Sequence, residues 1–228
     1  MKNILEEIAA RTRERIAKEK SCISVSELEN RIQEVNKNAG KRITLLQALQ
    51  KDGMSYICEV KKASPSKGLI APDFPYLAIA KEYEQAGASA ISCLTEPFYF
   101  QGADQYLREI AAAVQIVQKV SIPVLRKDFT CDEYMIYQAK SLGASAVLLI
   151  CAILDDGELR AYRQLAKELG LDALVEAHDE YEVDRALNLG AEIVGVNNRD
   201  LRTFQVDMNN SIRLRKMAPD NVVFVSES

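Results

Sequence analysis

The stretch QAGASAIS, residues 85–92, returns as SLGASAVL at residues 141–148 and more loosely as NLGAEIVG at residues 188–195. A degenerate fourth copy, LGLDALV, occupies residues 169–175. In each copy the glycine follows an amphipathic helical pattern and precedes a run of apolar residues. Glycine tolerates the left-handed backbone that ends a helix, and a short loop then leads into the next strand. The repeated unit is therefore predicted to be a helix, a glycine stop and a buried parallel strand.

Apolar runs predict about seven strands, and helical periodicity fills the gaps between them. The strands are expected near residues 55–60, 89–94, 122–127, 145–151, 172–176, 191–196 and 222–226. The helices are expected near residues 75–86, 104–118, 132–142, 156–169, 179–189 and 207–217. Strands separated by single helices require right-handed crossovers, and hence a parallel sheet of the α/β class.

Two architectures fit a parallel sheet of this kind, an open doubly wound sheet and a (β/α)8 barrel. No G-x-G-x-x-G fingerprint follows the first strand, which removes the main support for a dinucleotide-binding open sheet. Charged or amide residues instead close nearly every strand, and a barrel assembles its active site from such positions. We therefore predict a (β/α)8 TIM barrel over residues 51–228, with residues 1–50 as a helical extension packed on it.

Composition excludes several other classes of protein. The chain has 228 residues, 48% of them hydrophobic and 27% charged, which is typical of a globular protein. A net charge of -4 without a long basic run argues against a nucleic-acid partner. No apolar run approaches the roughly 18 residues that span a membrane, and the charged N-terminus is not a signal peptide. Cys58, Cys93 and Cys151 lie in apolar runs, which indicates reduced core cysteines and a cytoplasmic protein.

The residues at the strand ends that could act as acids or bases are lysines and glutamates, not histidines. His178 is the only histidine, so a histidine triad or a histidine-rich metal site is excluded, and no metal site is predicted. His178 itself is interpreted as a surface or helix-start residue, and Lys62, Lys67 and Arg126 as surface or helix-facing charges. Any single strand-end charge could equally be a solvated end or a structural ion pair. The residues that close the strands are Glu59, Lys61, Thr95, Glu96, Lys127, Asp128, Glu176, Asn197, Arg199 and Glu227.

Five segments carry a resemblance to a known family. They are EVKKASPSKG at 59–68, LRKDF at 125–129, LVEAH at 174–178, GVNNRDL at 195–201 and VSES at 225–228. In this order and at this spacing they resemble indole-3-glycerol-phosphate synthase over nearly the whole chain. The resemblance implies a carbon–carbon lyase that converts 1-(2-carboxyphenylamino)-1-deoxyribulose 5-phosphate to indole-3-glycerol phosphate. Carbon dioxide and water are lost, the pathway is tryptophan biosynthesis, and no cofactor is expected.

The resemblance also implies roles for six catalytic residues. Lys127 matches a general acid that protonates the ketone oxygen, and Glu176 matches the general base of the dehydration. Lys61 is expected to pair with the anthranilate carboxylate and to assist proton transfer, so the division of acid and base work between the two lysines stays open. The remaining three, which hold the lysines or hydrogen-bond the substrate, are Glu59, Glu227 and Asn197.

Seven further positions match residues that contact the substrate in the family. Phe129 and Leu148, taken alone, would be read as core packing. The aromatic and aliphatic positions match the wall of the anthranilate pocket, and the polar ones match positions where polar substrate groups bind. The set is Ser64, Phe100, Phe129, Leu148, Arg199, Leu201 and Ser228.

The sequence departs from the family pattern at its end. The family continues past VSES with a glycine, a helix, an eighth strand and a final helix, whereas this sequence stops at Ser228. We therefore expect a barrel only through about its seventh strand, with little of the phosphate site beyond Ser228. Two alternatives follow: a non-catalytic truncated fragment of the same family, and a sister barrel such as phosphoribosylanthranilate isomerase. The sequence gives no indication of the oligomeric state.

Overall fold

The central element is one curved parallel sheet that forms a (β/α) barrel, as predicted. The structure, a computed structural model, describes residues 4–38, 43–116, 122–199 and 205–228. Within these residues seven parallel strands pair in chain order, and the sheet stays open between the first and the last. Its strands are β1 Ile57–Val60, β4 Ala90–Leu94, β5 Val124–Lys127, β6 Ala146–Ile150, β7 Asp172–Ala177, β8 Ile193–Asn197 and β9 Val223–Glu227. A separate antiparallel hairpin, absent from the sequence prediction, joins β2 Ala63–Ser64 to β3 Gly68–Leu69.

Helices cover the outside of the sheet and precede its first strand. The predicted crossover helices are confirmed to within a few residues, except that residues 117–118 lie outside the described part of the chain. Residues 215–217 of the last predicted helix form a 3-10 turn, and a second 3-10 turn follows β6 at Cys151–Ile153. The α-helices are α1 Ile4–Cys22, α2 Val25–Asn38, α3 Leu45–Leu49, α4 Tyr76–Gln85, α5 Asp104–Ile116, α6 Tyr134–Ser141, α7 Asp156–Glu168, α8 Glu180–Asn188 and α9 Asn209–Leu214.

The repeated glycine ends helices in the way that the sequence predicts. Gly87, Gly143 and Gly190 have φ values of 87°, 89° and 78°, in the left-handed region. After Gly87, the N–H of Ala88 donates to the carbonyl of Tyr83, and the same bond follows the other two glycines. This is the Schellman termination of an α-helix, and it turns the chain directly into the next strand.

Alternation along each strand divides the apolar residues into two cores. One core lies inside the barrel and includes Leu125, Leu148 and Leu174. The other lies between the sheet and its helices and includes Val124 and Val175. Successive side chains of a strand point to opposite faces, so every strand ends with one residue aimed into the barrel and one aimed at the helix layer.

The N-terminal helices pack on both ends of the barrel. Leu5 and Ile8 of α1 join the interior core, while Ile16 packs with Tyr134 outside the sheet. At the other end, the N–H of Leu46 donates to the carboxylate of Asp172 at 2.7 Å. The division into an extension at 1–50 and a barrel at 51–228 stays a prediction. In the part of the chain that the structure describes, no helix is long and apolar enough to cross a membrane.

Candidate active site

A lysine held between two glutamates lies at the barrel mouth, the end where the strands' carboxyl termini meet. Lys127 Nζ donates to Glu176 Oε2 at 3.0 Å and to Glu227 Oε2 at 2.8 Å. The three residues, here called the inner cluster, come from β5, β7 and β9. Their side chains are 16%, 4% and 16% exposed, so the charges are largely removed from water but reachable from the cavity.

The three residues of the inner cluster differ in the direction and the cause of their pKa shifts. Burial disfavours the ammonium of Lys127, but the carboxylates of Glu176, Glu227 and Glu59 outweigh burial and raise its pKa above the usual value. Burial also opposes the charge of Glu176, yet Lys127 and His178 lower its pKa. For Glu227, burial and repulsion from Glu176 outweigh the attraction of Lys127 and raise the pKa. The cluster therefore contains a charged donor, an ionised carboxylate and a second carboxyl that protonates more readily.

The carboxylate of Glu227 lies directly against the backbone of β8 at Gly195. A Cβ atom at Gly195 would overlap Glu227 Oε1 and would lie 3.2 Å from Leu174 Cδ1. Only a residue without a side chain leaves the carboxylate where it meets Lys127. In the part of the chain that the structure describes, Glu227 Oε1 is buried without a hydrogen-bond partner.

The second lysine lies on β1's side of the mouth. Lys61 Nζ donates to Glu59 Oε1 at 2.6 Å, and both side chains are 29% exposed. The other oxygen of Glu59 accepts from Ser92 Oγ at 3.3 Å. Glu59 and Lys61 thus share the inward face of the chain at the end of β1, as their alternation in the sequence predicts.

An amide and a short hairpin complete the polar side of the mouth. Asn197 Nδ2 donates to Glu176 Oε1 at 3.3 Å, and its Oδ1 accepts from the backbone N–H of Arg199. Arg199 Nη2 lies 3.4 Å from Ser228 Oγ. Ser64 Oγ accepts from the N–H of Lys67 at 3.3 Å, within the hairpin that follows β1.

An apolar wall faces these polar groups. The rings of Phe100 and Phe129 are 6.3 Å apart between centroids, and both pack in the interior core with Leu148. Phe100 is held by Glu96, whose buried carboxylate accepts the backbone N–H groups of residues 98, 99 and 100. Glu96 thus shapes a loop and does not enter the cluster of charges.

These residues surround one cavity of about 910 Å³, lined by twelve of the thirteen predicted site residues. Leu201 lies outside the described residues. The volume falls within the range of about 300–1,000 Å³ that small-molecule sites occupy. A charged donor, a base and a flat apolar wall in one cavity suit acid–base chemistry on an aromatic molecule.

Arg126 and Asp128 flank Lys127 in sequence but face the opposite side of β5. Arg126 is helix-facing, as predicted, yet only 1% exposed. Asp128 Oδ2 accepts from Arg15 of α1 at 2.9 Å and from Thr95 at 2.7 Å. Asp128 borders the cavity, but its carboxylate is taken up by these outer partners. These side chains are called the outer cluster and comprise Arg15, Thr95, Asp104, Arg126 and Asp128.

His178 lies just before the start of α8, as predicted, but it is not a surface residue. Its ring is 19% exposed and lies between two carboxylates. Nδ1 is 3.0 Å from Glu182 Oε2, and Nε2 is 3.5 Å from Glu176 Oε1. The helix-start interpretation is confirmed, whereas the contacts with Glu176 and Glu182 were not predicted, because they form only in the folded barrel.

The cysteines and possible metal ligands add no further site. All five cysteines are free thiols. Cys93 and Cys151 are buried as predicted, and Cys58 is half-buried. Within the described ranges, no group of three or more His, Cys, Asp or Glu residues is arranged to hold a metal ion.

Comparison with known proteins places these residues in a family. The family model for indole-3-glycerol phosphate synthase matches residues 5–228. A protein of that name from Ruminiclostridium cellulolyticum is 53% identical over 226 residues, covering 99% of this chain and 84% of the relative. Another from Lacticaseibacillus paracasei is 53% identical over 225 residues, with the same coverage. Among solved structures, thiamine phosphate pyrophosphorylase from Pyrococcus furiosus aligns with a TM-score of 0.56 at 14% identity, over 81% of this chain and 77% of its own. That likeness supports the barrel fold alone.

Proposed function

The chain belongs to the indole-3-glycerol phosphate synthase family of decarboxylating lyases in tryptophan biosynthesis, and we propose that its inner cluster carries out the proton transfers of that reaction. The substrate is 1-(2-carboxyphenylamino)-1-deoxyribulose 5-phosphate, a small phosphorylated molecule. The family match removes the sister-barrel alternative. The single observation that carries the proposal is the buried contact of Lys127 with both Glu176 and Glu227.

Lys127 acts as the general acid of ring closure. A new carbon–carbon bond forms between the benzene carbon that bears the carboxylate and the ketone carbon, and the ketone oxygen takes a proton from Lys127. Two of the three ammonium protons are held by carboxylates, which leaves the third for the substrate oxygen. The raised pKa of Lys127 keeps it protonated until negative charge develops on that oxygen.

Lys61 binds the substrate carboxylate before it leaves. The bond to that carboxylate breaks, carbon dioxide departs, and the electron pair returns to the ring system. Lys61 is oriented by Glu59, so its ammonium offers a fixed positive charge beside the cavity. A positioned charge of this kind stabilises an anion at a defined place.

Glu176 acts as the base of the final step. The hydroxyl made in ring closure takes a proton from Lys61 and leaves as water, while Glu176 accepts the proton from the ring carbon next to the nitrogen, and this loss makes the five-membered ring aromatic. Its lowered pKa keeps it ionised for this task, and Asn197 fixes one of its oxygens.

The remaining site residues bind the substrate without chemistry. Phe100, Phe129 and Leu148 hold the aromatic ring, and the matching Leu201 is assigned to the same wall from its sequence position. Ser64, Arg199 and Ser228 bind the polar and phosphate groups. We further propose that the enzyme acts in the cytoplasm, without a nucleic-acid or membrane partner.

The test is the Glu176→Gln variant, assayed for both products. It should lower the rate of indole-3-glycerol phosphate formation by roughly 10²-fold, as for loss of a positioned base. Because carbon dioxide leaves before dehydration, single-turnover measurements should show carbon dioxide released ahead of indole-3-glycerol phosphate. Glu168→Gln, a change on exposed α7, is the matched control and should keep the two products in step. Normal turnover in Glu176→Gln, or equal delays for both products, would remove Glu176 from the role of base.

A further inference from the structure

His178 is a largely buried ionisable group that contacts the inner cluster without belonging to it. Glu176 Oε2 is taken by Lys127, and Oε1 faces both Asn197 and the ring of His178. The ring lies outside the cavity, so it cannot touch the substrate. It contacts the proposed base, Glu176, at the oxygen that Lys127 does not take.

The ring is held in place by α8. Asp179 caps the N-terminus of α8 and accepts from the N–H of Glu182. Glu182 folds back, and its Oε2 accepts from the backbone N–H of His178 at 2.8 Å and contacts Nδ1 at 3.0 Å. Asn210 of α9 donates to the carbonyl of His178. The imidazole therefore has little freedom to turn away from Glu176.

This geometry favours a charged ring. An ionised carboxylate only accepts hydrogen bonds, so contact with Glu182 requires a proton on Nδ1. Nε2 is buried and has no hydrogen-bond partner among the described residues, and a bare lone pair there would face the nearby oxygen of Glu176. A proton on Nε2 converts that repulsion into attraction.

We propose that His178, held by Glu182, is a positioning residue that keeps Glu176 ionised and aimed into the cavity. This rests on the proposed role of Glu176 as base. The imidazolium supplies a second positive charge on the side of Glu176 away from Lys127. It thereby offsets the cost of burying a carboxylate next to a second one, Glu227.

The surrounding charges agree with this assignment. Burial lowers the pKa of His178, but the hydrogen bond to Glu182 and the charges of Glu176, Glu182 and Asp179 raise it above its usual value. The ring is then charged throughout the pH range in which Glu176 titrates. The titratable and charged groups facing the pair, element by element, are Lys127 on β5, Cys151 after β6, Glu176 on β7, Glu227 on β9, and Asp179, Glu182 and Arg185 at or on α8.

The single histidine makes the first test direct, since one imidazole gives one set of ring NMR signals. In the unsubstituted protein the ring should titrate above 6.5, its ordinary value. Glu176→Gln and Glu182→Gln should each lower that pKa by about 1 unit. Glu180→Gln, an exposed change on the same helix turn, should leave it unchanged. A ring pKa that is ordinary in the unsubstituted protein, or that neither variant moves, overturns the proposal.

The second test is the pH dependence of kcat in His178→Gln, which keeps a hydrogen-bond donor but loses the charge. Removing a cation beside Glu176 raises the carboxylate's pKa, so the acidic limb of the profile should move to higher pH by about 1 unit. KM should change little, because the ring does not line the cavity. A merely structural histidine would lower stability and leave the limb in place, and that result would overturn the proposal.

The two tests separate this proposal from the proposed function. If Glu176→Gln retains full turnover, the role of Glu176 as base fails, whatever the ring signals show. If Glu176→Gln is inactive and lowers the ring pKa, but His178→Gln keeps its acidic limb, the role of Glu176 stands and the positioning role of His178 fails.

Discussion

Strand β5 carries buried charges on both of its faces, and the two sets differ in how completely they are paired. On the outer face, Asp128 Oδ2 accepts from Arg15, Thr95 and Arg126, and its Oδ1 accepts from the N–H of Phe129. On the inner face, Lys127 meets two carboxylates that compete for it. Both oxygens of the outer carboxylate have hydrogen-bond partners, whereas the inner lysine is shared between two carboxylates.

The difference explains why neighbouring residues serve different purposes. A buried carboxylate that accepts from several donors, as Asp128 does, is rigid and resists a change of protonation because its charge is matched by its partners. An incompletely paired network keeps groups with shifted pKa values and a spare donor, which a reaction needs. The outer cluster therefore fixes α1 and β5, and the inner cluster is free to exchange protons with a substrate.

The largest expected effect is on the outer face. Asp128→Asn leaves Arg15 and Arg126 buried without their shared anion, which should lower the free energy of unfolding by about 3–5 kcal/mol. Urea unfolding measures this. The matched control is Lys20→Gln, which removes the exposed α1 pair with Asp132 and should cost less than about 1 kcal/mol. Equal costs for the two variants would show that burial does not distinguish the pairs.

On the inner face the expected loss is of rate. Lys127→Met should lower kcat by about 10²-fold or more, as for removal of a positioned general acid, while Glu227 takes up a proton and limits the cost to folding. Steady-state kinetics should therefore show a large loss of kcat in this variant, while thermal unfolding should show only a small loss of stability. Lys81→Met, on exposed α4, is the control. If Asp128→Asn folds but its kcat is as low as that of Lys127→Met, the outer face also contributes to catalysis and the proposed difference between the two faces is wrong.

The outer cluster should also set how stability depends on pH. Burial alone would raise the pKa of Asp128, but Arg15, Arg126 and the hydrogen bond from Thr95 hold it below the usual value. The unfolded chain then binds the proton first, so this stabilisation is present above about pH 4 and is lost as pH falls further. Urea unfolding from pH 7 to 3 should show the gap between the unsubstituted protein and Asp128→Asn narrowing. Parallel curves would contradict the assignment.

The sequence predicted the inner cluster better than the outer one, for a physical reason. Lys127, Glu176 and Glu227 each end a strand, and parallel strands bring their ends together whatever the details of packing. Arg126 was recognised as helix-facing, but its burial depends on α1, since Arg15 and Asp128 are 113 positions apart. No periodicity within either segment encodes that contact. His178 lies at a helix start as predicted, but its contacts with Glu176 and Glu182 were not predicted, because they depend on how α8 packs against β7.

The hairpin after β1 was also missed as regular structure. Each of its strands has only two residues, which is too short for alternation to be visible. The segment was recognised instead as a loop beside the substrate, and Ser64 does line the cavity.

The smallest predicted effect concerns Gly195, whose missing side chain leaves the space that the Glu227 carboxylate occupies. In Gly195→Ala the new methyl group displaces Glu227 Oε1, an atom at the end of a flexible side chain. Stability should therefore change little, but Glu227 would lose its alignment with Lys127, and kcat should fall roughly 10-fold, equivalent to about 1.4 kcal/mol of barrier. Gly157→Ala on α7 is the matched control and should keep the normal rate.

A double variant tests whether Gly195 acts through Glu227. Glu227→Asp shortens the side chain that the new methyl group would meet. The double variant of Glu227→Asp with Gly195→Ala should therefore be no slower than the slower single variant, because both changes act through the same contact. Fully additive losses in the double variant would mean that Gly195 affects the rate by another route than the position of Glu227.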